Sequence, residues 1–85
     1  MYKLLYHPSC LKRLKKIPQI DRGRILEKLL QLSGNPFSAN LDIQKLVRTK
    51  NSFRLRVGDL RAIYEVEKEK KIIYVWEIDY RGKVY

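Results

Sequence analysis

Phe53-Arg54-Leu55-Arg56-Val57-Gly58-Asp59-Leu60-Arg61-Ala62-Ile63-Tyr64-Glu65-Val66 is the stretch that decides the fold. Its first five residues alternate apolar and basic, the period-two pattern of a strand with one covered face. Gly58-Asp59 breaks the alternation, and a two-residue insertion with glycine first suits the type II′ turn of a β-hairpin. That turn dictates the pairing: Val57 with Leu60, Arg56 with Arg61, Leu55 with Ala62, Arg54 with Ile63 and Phe53 with Tyr64. Successive side chains leave a strand on opposite faces. Phe53, Leu55, Val57, Leu60, Ala62 and Tyr64 therefore form the covered side, and Arg54, Arg56 and Arg61 gather on the other. Like charges opposed across a sheet cost from a few tenths to about 1 kcal/mol, so the cluster calls for an anion. The planar guanidinium fork matches phosphate oxygens in pairs. The competing reading is a solvated polar face neutralised by Glu65, Glu77 or Asp79.

Downstream, Glu67–Lys71 reads as a polar turn and Lys71–Ile78 as a further strand, rich in β-branched and aromatic residues. Tyr74 and Trp76 share one face of it, assigned to the core. The end, Asp79–Tyr85, reads as a short strand or an irregular tail. Upstream, Leu41–Val47 fits no single pattern, with Leu46 as its core anchor, and Phe37–Asn40 is loop. A helix runs from about Ile20 or Asp21 to Ser33, with Ile25, Leu29 and Leu32 on one face and Leu26 and Leu30 at its margin. Asp21 supplies its acidic start and Gly34-Asn35-Pro36 its stop. An earlier helix spans Cys10–Ile17, with Ser9 as N-cap, Leu11, Leu14 and Ile17 on one face, and Pro18 as terminator. Tyr2–His7 suits a first strand. The order βααβββ predicts one α+β domain over residues 1–85, a mainly antiparallel twisted sheet with two N-terminal helices on one face.

The 85 residues carry 19 Lys+Arg against 9 Asp+Glu, a formal net charge of +10. One-signed charge on a small domain points to a polyanionic partner. The longest apolar run, Ile72–Trp76, is far short of the ~20 residues of a membrane span, so no membrane role is expected. The N-terminus lacks the apolar stretch of a secretion signal. A single cysteine, Cys10, excludes an internal disulfide, and with the single histidine, His7, excludes a Cys/His zinc site. A reducing cytoplasm fits this usage, and neither metal nor cofactor is expected. His7, beside Pro8 and without an acid or nucleophile, reads as structural, and Cys10 as packing.

Phe53–Val66 resembles the signature hairpin of the RelE/ParE superfamily of bacterial and archaeal toxins. The ending Tyr80-Arg81-Gly82-Lys83-Val84-Tyr85 is similar to that family's His-Arg-x-x-Val-Tyr close. Leu-Lys-Arg-Leu-Lys-Lys-Ile-Pro, a second helix, Asn-Pro and Lys-Leu follow the family order too, so the likeness covers nearly the whole chain. In the RelE branch it implies a metal-independent endoribonuclease that cuts mRNA on the ribosome by attack of the ribose 2′-oxygen on the adjacent phosphate. Arg54, Arg56, Arg61, Arg81 and Tyr85 fall on the catalytic positions. Lys12, Arg13, Lys15, Lys16 and Lys83 would hold mRNA or ribosomal RNA through phosphate contacts. Fixed cations suit a transition state that builds charge on phosphoryl oxygens. The implied partner is an acidic antitoxin, through which alone operator DNA would be bound. Two departures stand out: arginines occupy positions where the family often has lysines, and Tyr80 replaces the frequent histidine. Arginine stays protonated, which leaves Tyr85, then Tyr80, as candidates for the base. The terminal carboxylate of Tyr85 would sit beside this site, pairing with Arg81 or sharing in proton transfer. The alternatives are a ParE-like inhibitor of DNA gyrase and a non-catalytic RNA- or antitoxin-binding module of the same fold.

Overall fold

The computed structural model describes residues 1–80. The elements run β1 (Lys3–Tyr6), α1 (Pro8–Lys16), α2 (Gln19–Gly34), β2 (Asp42–Lys45), β3 (Ser52–Val57), β4 (Leu60–Glu67) and β5 (Ile72–Tyr80). They form one sheet in the order β1-β5-β4-β3-β2, in which only β1 and β5 run parallel. Both helices lie on one face, α1 over β5 and β1, α2 over β4 and β3. This is the expected α+β architecture with one strand added at the edge. The segment that fitted no pattern supplies that strand, β2, antiparallel to β3.

The hairpin forms in the register dictated by its turn, from Val57↔Leu60 through Phe53↔Tyr64. Gly58 has φ +60° and Asp59 is not among the residues of positive φ, which is the type II′ signature. Leu55, Leu60, Ala62 and Tyr64 are buried under the helices, with Phe53 and Val57 packed at the margin of the core. From α2, Ile25, Leu29 and Leu32 are fully enclosed, as their spacing predicts, whereas Leu30 is well exposed.

Helix α1 differs from expectation in its cap and its stripe. His7, not Ser9, is the N-cap, and its Nδ1 accepts from the Ser9 amide at 3.1 Å. Pro8 then occupies the first helical position, where its missing N–H costs nothing. The buried stripe is Cys10, Leu14 and Ile17, and Leu11 is 51% exposed. Spacings of four and three residues keep one helix face, and Leu11 stands about a quarter-turn away. The Cys10 thiol faces the Val75 carbonyl at 3.4 Å, and burial pushes its pKa up, which confirms a packing role. Leu41 rather than Leu46 is the core residue beside β2, since Leu46 is only half-buried.

Strand β5 holds the largest correction. Ile73, Val75 and Ile78 face the helices, while Trp76 is 45% exposed on the other face with Tyr74. The register with β4 shifts from Tyr64↔Val75 to Ile63↔Glu77, leaving Trp76 as the extra residue of a β-bulge. The bulge resets the alternation and returns Ile78, rather than Glu77, to the core. Both faces of β5 are apolar in this stretch, so period-two reading alone could not tell inside from outside.

Candidate functional site

The helix-free face of the sheet carries the basic cluster. Arg56 and Arg61 are direct cross-strand partners, and Arg54 stands two residues from Arg56 on the same face. Continuing the Arg56–Arg61 row places Asp42 of β2 opposite Arg56 and Asp79 of β5 opposite Arg61. The row thus reads Asp79, Arg61, Arg56, Asp42, a carboxylate at either end of two guanidinium groups.

Neither carboxylate forms an ion pair with Arg56 or Arg61. Among the described residues the one ion pair is Arg13–Asp79, at 3.5 Å. Arg13 reaches from α1 to β5 where β1 has ended, so the carboxylate nearest Arg61 is engaged from the helix layer. The Arg61 Nε is buried without a hydrogen-bond partner among the described residues. A buried donor left open is uncommon in a folded chain and marks a place where an acceptor would be held. Arg54 donates to the Gln44 side chain of β2, a neutral partner that leaves its charge uncancelled. Arg56 is exposed. Of the other acids expected as neutralisers, Glu65 accepts from the indole of Trp76 at 3.2 Å, and Glu77 lies with Ser9, Arg13 and Asp79 around a small hollow of 120 Å³.

The basic residues of α1 divide. Lys12, Lys15 and Lys16 are exposed, and Arg13 is half-buried. Lys12, Arg13 and Lys16 border a shallow hollow with Ser9. They lie on the helix layer, apart from the hairpin row except where Arg13 meets Asp79. The last-turn position of Arg13, Lys15 and Lys16 also complements the helix dipole. Arg81, Lys83 and Tyr85 lie outside the described residues.

Tyr80 stands on the opposite face of the sheet from Arg54, Arg56 and Arg61. It pairs with Leu60, a core residue, so its ring leaves the sheet on the helix side. There its hydroxyl donates to Asp21 Oδ2 at 2.8 Å, and that bond raises the phenol pKa above its ordinary value. A phenol held in this way is a poorer base at neutral pH, and it faces a 160 Å³ hollow formed with Asp21, Arg24 and the Gly58-Asp59 turn rather than the basic row. Sequence reading also missed the role of Arg13 in holding Asp79. No pattern in a linear chain links α1 to the far end of β5. It missed the exposure of Trp76 as well. Among the described residues no group of three or more His, Cys, Asp or Glu could hold a metal ion.

The family model of the ParE toxin of type II toxin–antitoxin systems matches residues 4–85. A chain of Methanocaldococcus jannaschii named "Putative toxin RelE1" is 30% identical over 80 residues, spanning 93% of this chain and 89% of its own. The RelE–RelB complex of Pyrococcus horikoshii OT3 contains a chain similar at TM-score 0.84 and 30% identity, covering 98% of both chains. The RelB–RelE complex of Methanococcus jannaschii gives TM-score 0.78 at 27% identity, over 95% of this chain and 94% of the other. The isolated RelE toxin of Escherichia coli shares the fold at TM-score 0.83 with 20% identity, over 99% of this chain and 88% of its own. The hairpin in its predicted register, the helix layer on one face and the match from residue 4 to residue 85 agree: the chain belongs to the RelE/ParE superfamily, the toxins of type II toxin–antitoxin systems.

Proposed function

We propose that this toxin is an mRNA endoribonuclease acting on the translating ribosome, in the cytoplasm. Arg54, Arg56 and Arg61 hold the scissile phosphate and stabilise the charge that develops when the ribose 2′-oxygen attacks it. Arg81 joins them and Tyr85 serves near the 2′-oxygen, assignments carried by the resemblance of the chain's ending. With Tyr80 turned to the helix side, Tyr85 is the candidate base. Lys12, Lys15, Lys16 and Lys83 contact RNA phosphates away from the cut. The natural inhibitor is an acidic antitoxin, as RelB accompanies the similar archaeal RelE chains. Complementary charge gives fast capture, and operator DNA is reached only through that partner.

The observation that supports this reading is the guanidinium row on one open face, with the buried Arg61 Nε without a partner among the described residues and Asp79 paired with Arg13. The family match carries the ParE name, and a gyrase inhibitor of the same fold is the second reading. Expression in cells followed by mapping of mRNA ends separates the two. Ends at ribosomal A sites support the nuclease, and loss of DNA supercoiling with intact mRNA supports the gyrase reading. Toxicity without either result would overturn both.

A further inference from the structure

The exposed aromatic group on β5 is unused by the site described above. Trp76 and Tyr74 lie with ring centroids 4.4 Å apart, and His7 approaches Trp76 at 5.8 Å. Trp76 is 45% exposed, a large cost in unburied apolar surface for a chain of this size. It is the bulged residue, and bulges recur where a side chain is re-aimed next to a functional site. Its indole N–H is held by Glu65 at 3.2 Å and Tyr74 packs against the ring, so the exposed part of the indole is held in place. All of this lies on the helix-free face that carries the arginines. From Asp79, opposite Arg61, back to Trp76 is three residues of β5. At about 3.3 Å per residue and about 4.8 Å per strand, the aromatic group begins on the order of 10 Å from the guanidinium row.

We propose that Trp76, backed by Tyr74, is a stacking platform for a nucleobase of single-stranded RNA, one or two nucleotides from the phosphate held by Arg56 and Arg61. The proposal rests on the nuclease reading and deepens it by adding a base-binding subsite. Two features select RNA as the occupant. The platform is continuous with a cationic surface on a chain of net charge +10, which favours a polyanion. An aromatic face beside a cationic track is also the arrangement that binds unpaired bases without regard to sequence. Glu65 at the ring edge repels phosphate there, which sends the backbone towards the arginines and leaves the ring face to the base.

Trp76 is the only tryptophan in the chain, so its emission reports the contact directly. The purified chain is titrated with a fluorescein-labelled RNA hexamer at low salt, recording tryptophan emission and RNA anisotropy together. Quenching that tracks binding is expected, with affinity falling roughly 5- to 150-fold in Trp76→Leu and much less in Trp76→Phe. The core residues of β5 point the other way, so Trp76→Leu is expected to keep the parent's melting temperature. Binding with unchanged emission and no loss in Trp76→Leu would overturn the platform while leaving an arginine-held phosphate intact. No binding by the parent would also overturn it, and mRNA-end mapping would then judge the nuclease reading separately. Unchanged RNA affinity in Trp76→Leu with weakened capture of the acidic antitoxin would assign the patch to protein instead.

Discussion

Arg61 and Asp79 face each other across β4 and β5 without forming an ion pair, because Arg13 takes the carboxylate. The Arg13–Asp79 pair is partly exposed, with side chains 41% and 19% accessible, and adds at most about 1 kcal/mol to stability. Its larger consequence is that the carboxylate opposite Arg61 is engaged by Arg13. Arg13→Ala is therefore expected to free Asp79 for Arg61 and slow mRNA cleavage by up to about fivefold, the equivalent of 1 kcal/mol. Asp79→Asn in the same chain should restore the rate, and single-turnover cleavage on programmed ribosomes checks both. Equal rates in parent and Arg13→Ala would contradict this role. Tyr64 poses a separate question. Its ring is fully buried and its hydroxyl lacks a partner among the described residues. Desolvation raises its pKa far above the ordinary value of 10.0. A folded-state phenol pKa above the unfolded one gives stability that is complete below about pH 10 and is lost as pH rises past it. Tyr64→Phe removes an unsatisfied buried group and should stabilise the fold by about 1 kcal/mol in urea titration at neutral pH. It should also lessen the alkaline loss. Destabilisation by Tyr64→Phe would show that the hydroxyl has a partner.

At the scale of elements, the hairpin was legible because three signals agree: strict alternation, a glycine-first turn and a pairing that buries one face. Gly58 is the point on which that agreement depends. Its φ of +60° is costly for any other residue, although a Cβ there would meet nothing within 4 Å. Gly58→Ala is thus expected to destabilise by about 1–2 kcal/mol through backbone strain alone. Denaturant unfolding measures it, and a change below a few tenths of a kcal/mol would argue against a type II′ turn. Strand β2 was not legible. It is a four-residue edge strand whose only half-buried residue is Ile43, so its existence is set by pairing with β3 rather than by its own pattern. The outward turn of Trp76 was hidden for a related reason. A bulge is a property of two paired strands, and Ile73, Val75, Tyr74 and Trp76 offer apolar side chains to both faces. The stripe of α1 begins one residue earlier than the three-residue spacing suggests, because Cys10, four residues before Leu14, faces Val75 of β5 while Leu11 turns a quarter-turn towards solvent.

Across the whole molecule, the sheet separates two surfaces of different use. One face is spent on the core beneath α1 and α2. The other is open and carries the arginine row and the aromatic group, while the lysines of α1 extend the positive surface on the helix layer. The Arg56–Arg61 pair and the face it shares with Arg54 were predictable, since they follow from a local turn. Long-range partners such as Arg13 with Asp79 and Tyr80 with Asp21 were beyond it, because they depend on how helices settle on the finished sheet. With a net charge of +10, the proposed association with RNA is expected to be strongly salt-dependent. For single strands the slope of log affinity against log salt is about −0.7 per phosphate contact, so Arg56→Ala should reduce its magnitude by about 0.7. An unchanged slope would remove Arg56 from the phosphate contacts.

The most direct measurement is single-turnover mRNA cleavage on programmed ribosomes by the parent chain, Arg61→Ala and the charge-matched control Lys70→Ala in the β4–β5 turn. Loss of one fixed transition-state donor typically costs on the order of 10²–10³ in rate. At least a tenfold loss is predicted for Arg61→Ala, with the control unchanged and both variants folded. Cleavage by Arg61→Ala at the parent's rate would contradict the assignment of the guanidinium row to the scissile phosphate.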